Sequence, residues 1–175
     1  MDLPLHPKLV HLPIALAILM PLLSGGLLLA MWRNWFPRRV WSLVVAGQLL
    51  LVGSGVLAMR SGEGDEDRVE KSVPKAVLHQ HEEAAEAFVW AGGVLLVLSI
   101  LPLLLRSPRM SLLGAAATCV GSLGVLGLGY QVGQAGGEIV YRHAAGAAFG
   151  VPVVPAGAAG VVKARSRSDD DNLDK

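Results

Sequence analysis

The stretch LHPKLVHLPI, residues 5–14, decides the fold, because it places His6 and His11 at the start of an apolar run that continues to Trp32. An imidazole costs free energy to hold at the edge of a hydrocarbon layer. A chain that carries two imidazoles at one helix entrance is therefore expected to use at least one of them as a ligand or as a hydrogen-bonded partner.

The composition is typical of an integral membrane protein. Hydrophobic residues make up 53% of the 175 residues and charged residues only 17%, which is too apolar for an ordinary soluble domain. The net charge of +1 argues against a nucleic-acid partner. The single cysteine, Cys119, excludes an intrachain disulfide, a four-cysteine iron–sulfur site and the Cys-X-X-Cys-His attachment of a c-type haem.

Four apolar runs are long enough to cross about 30 Å of hydrocarbon at about 1.5 Å per residue. They comprise residues 9–32, 40–59, 84–105 and 110–130. The first run reads as a retained span rather than a secretory signal, because Asp2 precedes it instead of a basic segment. We predict an all-α bundle of four transmembrane helices over residues 1–150, with a short extramembrane segment after the fourth helix and a flexible tail over 151–175.

Charge distribution predicts the orientation of the bundle. Segments 33–39 and 106–109 are short, basic and free of acidic residues, so the positive-inside rule places them in the cytoplasm. Both termini and the 60–83 loop then lie outside, an N-out and C-out topology. Within that loop, residues 62–70 are strongly acidic and predict a solvated turn that could dock a basic redox partner such as a cytochrome.

Polar residues and glycines in the later runs predict how the helices pack. Gln48 lies in the second run and predicts a hydrogen bond between helices, while the glycines of the second and fourth runs predict close helix packing. The glycines after residue 130 predict a tight turn that brings a short segment with His143 back to the mouth of the bundle.

An even number of crossings returns every histidine to one end of the bundle. The five histidines are His6, His11, His79, His81 and His143. At about 100° per residue, His79 and His81 face different sides of their helix. His81 shares a stripe with Phe88 and is expected to face inward, whereas His79 shares a stripe with glutamates and is expected to be solvated.

A neutral imidazole is a ligand for haem iron, zinc and copper. We expect a non-covalent (b-type) haem held by His11 and His81, with His143 as the main competitor and His6 nearby. The propionates of the haem would meet cationic or phenolic side chains at the same end, namely Lys8, Tyr141 and Arg142. The function expected from this site is electron transfer.

Two alternatives stay open. A mixed set of histidines and carboxylates would suit zinc or non-haem iron and would make the protein a membrane metalloenzyme. That set comprises His11, His81, Glu82, Glu86 and His143. In the other alternative the protein is a structural membrane subunit whose histidines only tie helices together.

Two motifs carry a resemblance to a known family. Residues 6–16, HPKLVHLPIAL, and residues 136–143, GGEIVYRH, resemble the bacterial membrane family catalogued as domain of unknown function 2231. The likeness covers approximately residues 4–147. Members of this family look like proteins with four spans that occur beside, or fused to, cytochrome c and Rieske-type domains. The resemblance therefore implies a bacterial inner-membrane protein in an electron-transfer setting, with a periplasmic cytochrome c or another redox protein as a partner.

Overall fold

A computed structural model describes residues 6–69 and 73–142. Over these residues the chain is helical and contains no strand. The elements are α1 (His6–Leu9), α2 (His11–Trp32), a 3₁₀ turn (Arg38–Trp41), α3 (Ser42–Val69), α4 (Lys75–Leu104) and α5 (Pro108–Tyr141). The all-α prediction is confirmed. The boundary placed between residues 150 and 151 lies outside the described residues.

Four segments are long and apolar enough to cross a membrane, as the sequence predicted. They are His6–Trp32, Arg38–Gly64, Lys75–Leu104 and Pro108–Tyr141, with 27, 27, 30 and 34 residues. A helix of 27 residues is about 40 Å long, whereas the hydrocarbon layer is about 30 Å thick. The helices are therefore longer than the hydrocarbon layer is thick.

Two segments that were expected to form turns belong to helices. The acidic residues 62–69 continue α3 to Val69, and the glycine-rich residues 131–141 continue α5 to Tyr141. Both predictions of a turn are wrong for the same reason. Once a membrane span has formed, each further residue adds a hydrogen bond without a new nucleation cost, and isolated glycines cost only about 1 kcal/mol each.

The helices form a four-membered ring in which each span packs on two neighbours. α2 and α4 each contact both α3 and α5. The buried core includes Trp41, Met20 and Leu51. Small residues set the helix separations: a Cβ placed on Gly121 would lie 2.5 Å from Cδ1 of Leu95. The predicted close packing at glycines is confirmed at this position.

Buried hydroxyl groups line the interior of the bundle. Ser24 donates to the carbonyl of Met20 at 2.7 Å, and its Oγ lies 3.4 Å from that of Ser122 on the neighbouring helix α5. Gln48 behaves differently, because it is fully buried and neither amide atom has a hydrogen-bond partner among the described residues. The expected hydrogen bond between helices through Gln48 is therefore wrong.

Side chains close the two short connections at the basic end. The indole Nε1 of Trp41 donates to the carbonyl of Ser99 at 2.9 Å, and the hydroxyl of Ser111 donates to the carbonyl of Pro102 at 2.8 Å. Ser111 thereby satisfies a carbonyl that the end of α4 leaves without a helical partner. These bonds fix α3 and α5 against the last turns of α4.

Candidate functional site

His6 is held at the end of α3 by its Nδ1 atom. This nitrogen lies 2.8 Å from the carbonyl oxygen of Ala58 and 3.1 Å from Oγ of Ser61. A carbonyl oxygen only accepts, so Nδ1 carries the hydrogen and donates it to Ala58. In the neutral ring, Nε2 then keeps its lone pair, which is the tautomer of a histidine that ligates a metal through Nε2.

His81 lies against His6 across the bundle. The centres of the two rings are 6.2 Å apart and their planes are inclined by 88°. The Nδ1 atom of His81 is buried and has no hydrogen-bond partner among the described residues. His81 therefore carries one ring nitrogen that is neither solvated nor paired.

A glycine touches each of the two rings. A Cβ placed on Gly62 would lie 3.2 Å from Cε1 of His6, and one placed on Gly136 would lie 3.1 Å from Cε1 of His81. Both distances are shorter than the optimal carbon–carbon separation of about 3.5–4.0 Å. The absence of a side chain at these two positions therefore lets α3 and α5 close onto the histidine pair.

The ring separation limits what the pair can do. Because each ring nitrogen lies about 1.1 Å from its ring centre, the nitrogens of the two rings are at least about 4 Å apart, which is beyond the range of about 2.7–3.2 Å for a hydrogen bond. Two metal–nitrogen bonds of about 2.0 Å in a nearly straight line span the same distance of about 4 Å. A tetrahedral ion would need its nitrogens about 3.3 Å apart, which is closer than these rings allow.

The other residues proposed for the site lie elsewhere or outside the described residues. His11 is exposed, and the structure brings His6 rather than His11 to His81. His79 is exposed, as expected, with its Nδ1 atom 3.5 Å from a carboxylate oxygen of Glu83. His143 lies outside the described residues.

The residues proposed for propionates are exposed at the same end of the bundle. Tyr141 is 89% exposed, and Lys8 is exposed on α1. Arg142 donates to Glu138 at 3.1 Å. Tyr141 and Arg142 also line an open groove of about 900 Å³ between α4 and α5. Gln134 and Tyr130 line the same groove, and the side-chain amide of Gln134 donates a hydrogen bond of 2.7 Å to the hydroxyl of Tyr130.

The described residues contain no group of three or more histidine, cysteine, aspartate or glutamate side chains that could hold a metal ion. Glu82 and Glu86, which the hard-metal alternative requires, are exposed on α4. Within residues 6–69 and 73–142, the mixed histidine and carboxylate set is therefore not brought together around one point.

The fold and the histidine pair define the class of this chain: a four-helix membrane protein with two neighbouring imidazoles at one end. A family model described as "Predicted membrane protein (DUF2231)" matches residues 2–148. The chain belongs to this family, which confirms the resemblance found in its two motifs. Comparisons with curated proteins and with solved structures gave no match.

Proposed function

We propose that this protein is a membrane electron-transfer protein that binds a non-covalent haem b between His6 and His81. The single observation that carries the proposal is the distance of 6.2 Å between the ring centres. It is too long for a hydrogen bond between the rings, and it matches the spacing of two imidazoles that each point one nitrogen at an iron between them. His6 and His81 would be the two residues that hold a haem through its iron.

The surroundings of the two rings support the same proposal. The Ala58 carbonyl fixes His6 in the tautomer that presents Nε2, as the outer partners of ligating histidines commonly do. Helix bundles build haem sites from side chains on facing helices. A bound haem would supply one-electron redox chemistry, and the protein would hold it through the two imidazoles and limit the access of water to them.

The acidic end of α3 supports docking of a basic redox partner. Glu63 is exposed, and the neighbouring residues 65–67 are all acidic and continue the helix. Clustered charge of one sign accelerates encounter with a partner of the opposite sign. We infer that a basic protein such as a periplasmic cytochrome c exchanges electrons here. The positive-inside assignment of the two arginine-rich turns supports a location of this end on the outer side of a bacterial inner membrane.

The test is the visible spectrum of the purified protein after addition of haemin. A low-spin haem gives a sharp Soret band and resolved α and β bands on reduction. We expect His6→Ala and His81→Ala each to abolish the low-spin spectrum. The matched controls are His11→Ala and His79→Ala, because both residues are exposed at the same end of the bundle, and these variants are expected to keep it.

Three results would overturn the proposal. One is a colourless protein that takes up no haemin. The second is retention of the low-spin spectrum in both His6→Ala and His81→Ala. The third is loss of the spectrum only in His11→Ala, which would restore the ligand assignment made from the sequence. Tightly bound zinc or non-haem iron at one ion per chain, without a Soret band, would favour the metalloenzyme alternative.

A further inference from the structure

An apolar groove lies between α2 and α5 at the end of the bundle opposite the histidine pair. Its volume is about 630 Å³. Its walls are leucine side chains, with one tryptophan and one arginine at the outer end: Leu28, Leu29, Leu112, Leu113, Trp32 and Arg109. The groove therefore combines an apolar channel with a single cation.

The groove starts where α2 and α5 separate. Ser24 and Ser122 are in contact at 3.4 Å, and a Cβ placed on Gly25 would lie 3.5 Å from Sγ of Cys119. From Gly25 to Trp32 the helix rises by about 10 Å, which is about two thirds of the roughly 15 Å of hydrocarbon in one leaflet. The groove is thus closed near the middle of the membrane and opens toward its surface, which is the shape that an acyl chain fills.

The charge at the open end is entirely positive. Segments 33–39 and 106–109 carry five arginines, and the sequence contains no acidic residue from 3 to 62 or from 87 to 137. Arg33 lies over the ring of Trp32 at 5.3 Å, and Arg38 donates to the carbonyl of Leu105. Arg109 is exposed and makes no ion pair with any described residue.

We propose that this groove binds one anionic glycerophospholipid, with an acyl chain between α2 and α5 and its phosphate on Arg109. An ammonium-bearing headgroup would be repelled by Arg109 and by the other arginines of the two turns, whereas an anionic headgroup would meet Arg109 and no acidic residue within those turns. Trp32 places its amphipathic ring at the level where headgroup and chain meet. The site is independent of the histidine pair and of the proposed haem.

The test uses the full chain in vesicles and brominated lipids, which quench tryptophan fluorescence on contact. Brominated phosphatidylglycerol should bind the groove more tightly than brominated phosphatidylcholine. We expect Arg109→Gln to lower this preference about fivefold, the effect of one arginine beside an anionic phosphate. The matched control is Arg106→Gln, which removes an exposed arginine from the same turn but not from the groove, and it should leave most of the preference in place.

A second measurement does not depend on any variant. Native mass spectrometry of the wild-type protein in mild detergent should show one retained anionic phospholipid per chain. An equal loss of preference in Arg109→Gln and Arg106→Gln would overturn the proposal, because the preference would then come from general surface charge. Equal binding of both brominated lipids to the wild-type protein would overturn it as well.

Discussion

Gly136→Ala is the most direct test of the histidine site that leaves both histidines in place. The added Cβ would lie 3.1 Å from Cε1 of His81 and 3.6 Å from its Nδ1 atom. Because the optimal carbon–carbon separation is about 3.5–4.0 Å, the ring must move by about half an ångström. A ligand geometry tolerates errors of only about this size. We expect the affinity for haem to fall about 10- to 100-fold, the usual effect of disturbing the support of a ligating histidine.

The effect on the fold should be small in comparison. Replacing a glycine inside a helix by alanine stabilises the helix by about 1 kcal/mol, which offsets part of the overpacking cost of about 1–3 kcal/mol. Gly133→Ala is the matched control, since Gly133 lies one turn earlier in α5 and a Cβ there meets nothing within 4 Å. Haemin titration followed at the Soret band measures both variants. Unchanged affinity in Gly136→Ala, or an equal loss in Gly133→Ala, would refute the assignment of His81 as a ligand.

Three further substitutions test the bundle, each followed by chemical unfolding in detergent. Gly121→Ala should lower the free energy of unfolding by up to about 2 kcal/mol, because crowding of buried Leu95 at 2.5 Å costs about 1–3 kcal/mol and the gain in helix propensity returns about 1 kcal/mol; a more stable variant would contradict the close packing of α4 and α5. Trp41→Phe should lower the free energy of unfolding by about 1–3 kcal/mol, because the buried carbonyl of Ser99 loses the indole N–H that donates to it; an unchanged midpoint would refute that bond. Gln48→Met should raise it by about 1–3 kcal/mol, because the amide is buried without a partner; a fall of the same size would show that Gln48 ties two helices together after all.

The number and type of the helices could be predicted from the sequence, but the ends of the helices could not. Run length and hydropathy mark only the part of a helix that lies in hydrocarbon, and these parts were assigned correctly. They carry no signal for residues 60–69 and 131–141, which are polar or glycine-rich and still helical. Their helical state comes from propagation of an existing helix rather than from their own composition.

Of the two histidines in the pair, His81 could be predicted from the sequence and His6 could not. The stripe through His81 and Phe88 was expected to face inward, and both residues are buried or half-buried. Spacing alone could not decide whether His6 or His11 meets His81. Residues five apart point about 140° away from each other on a helix, so only one of the two can face inward. The structure places the break between α1 and α2 at Val10, where Pro13 leaves the carbonyl of Leu9 without a helical donor.

The two glycines of the site were missed, because one sequence cannot show which glycine meets which ring. Gly62 was read as part of an acidic turn and Gly136 as part of a glycine turn. Each lies inside a helix and touches an imidazole. The one available signal was that both glycines stand among polar residues near the level of the histidines. That signal is too common to select these two glycines.

The extension of α3 and α5 beyond the apolar runs is what builds the site. The apolar runs end near residues 59 and 130. The Ala58 carbonyl lies just inside the first of these ends, whereas the other groups that contact the two imidazoles lie beyond them, at Ser61, Gly62 and Gly136. A bundle cut to the thickness of the hydrocarbon would leave both rings without these contacts. Within hydrocarbon the polar ring nitrogens would also be costly to hold. The long helices therefore place two imidazoles at a depth where four helices can enclose them and where the ends of α3 and α5 can contact them.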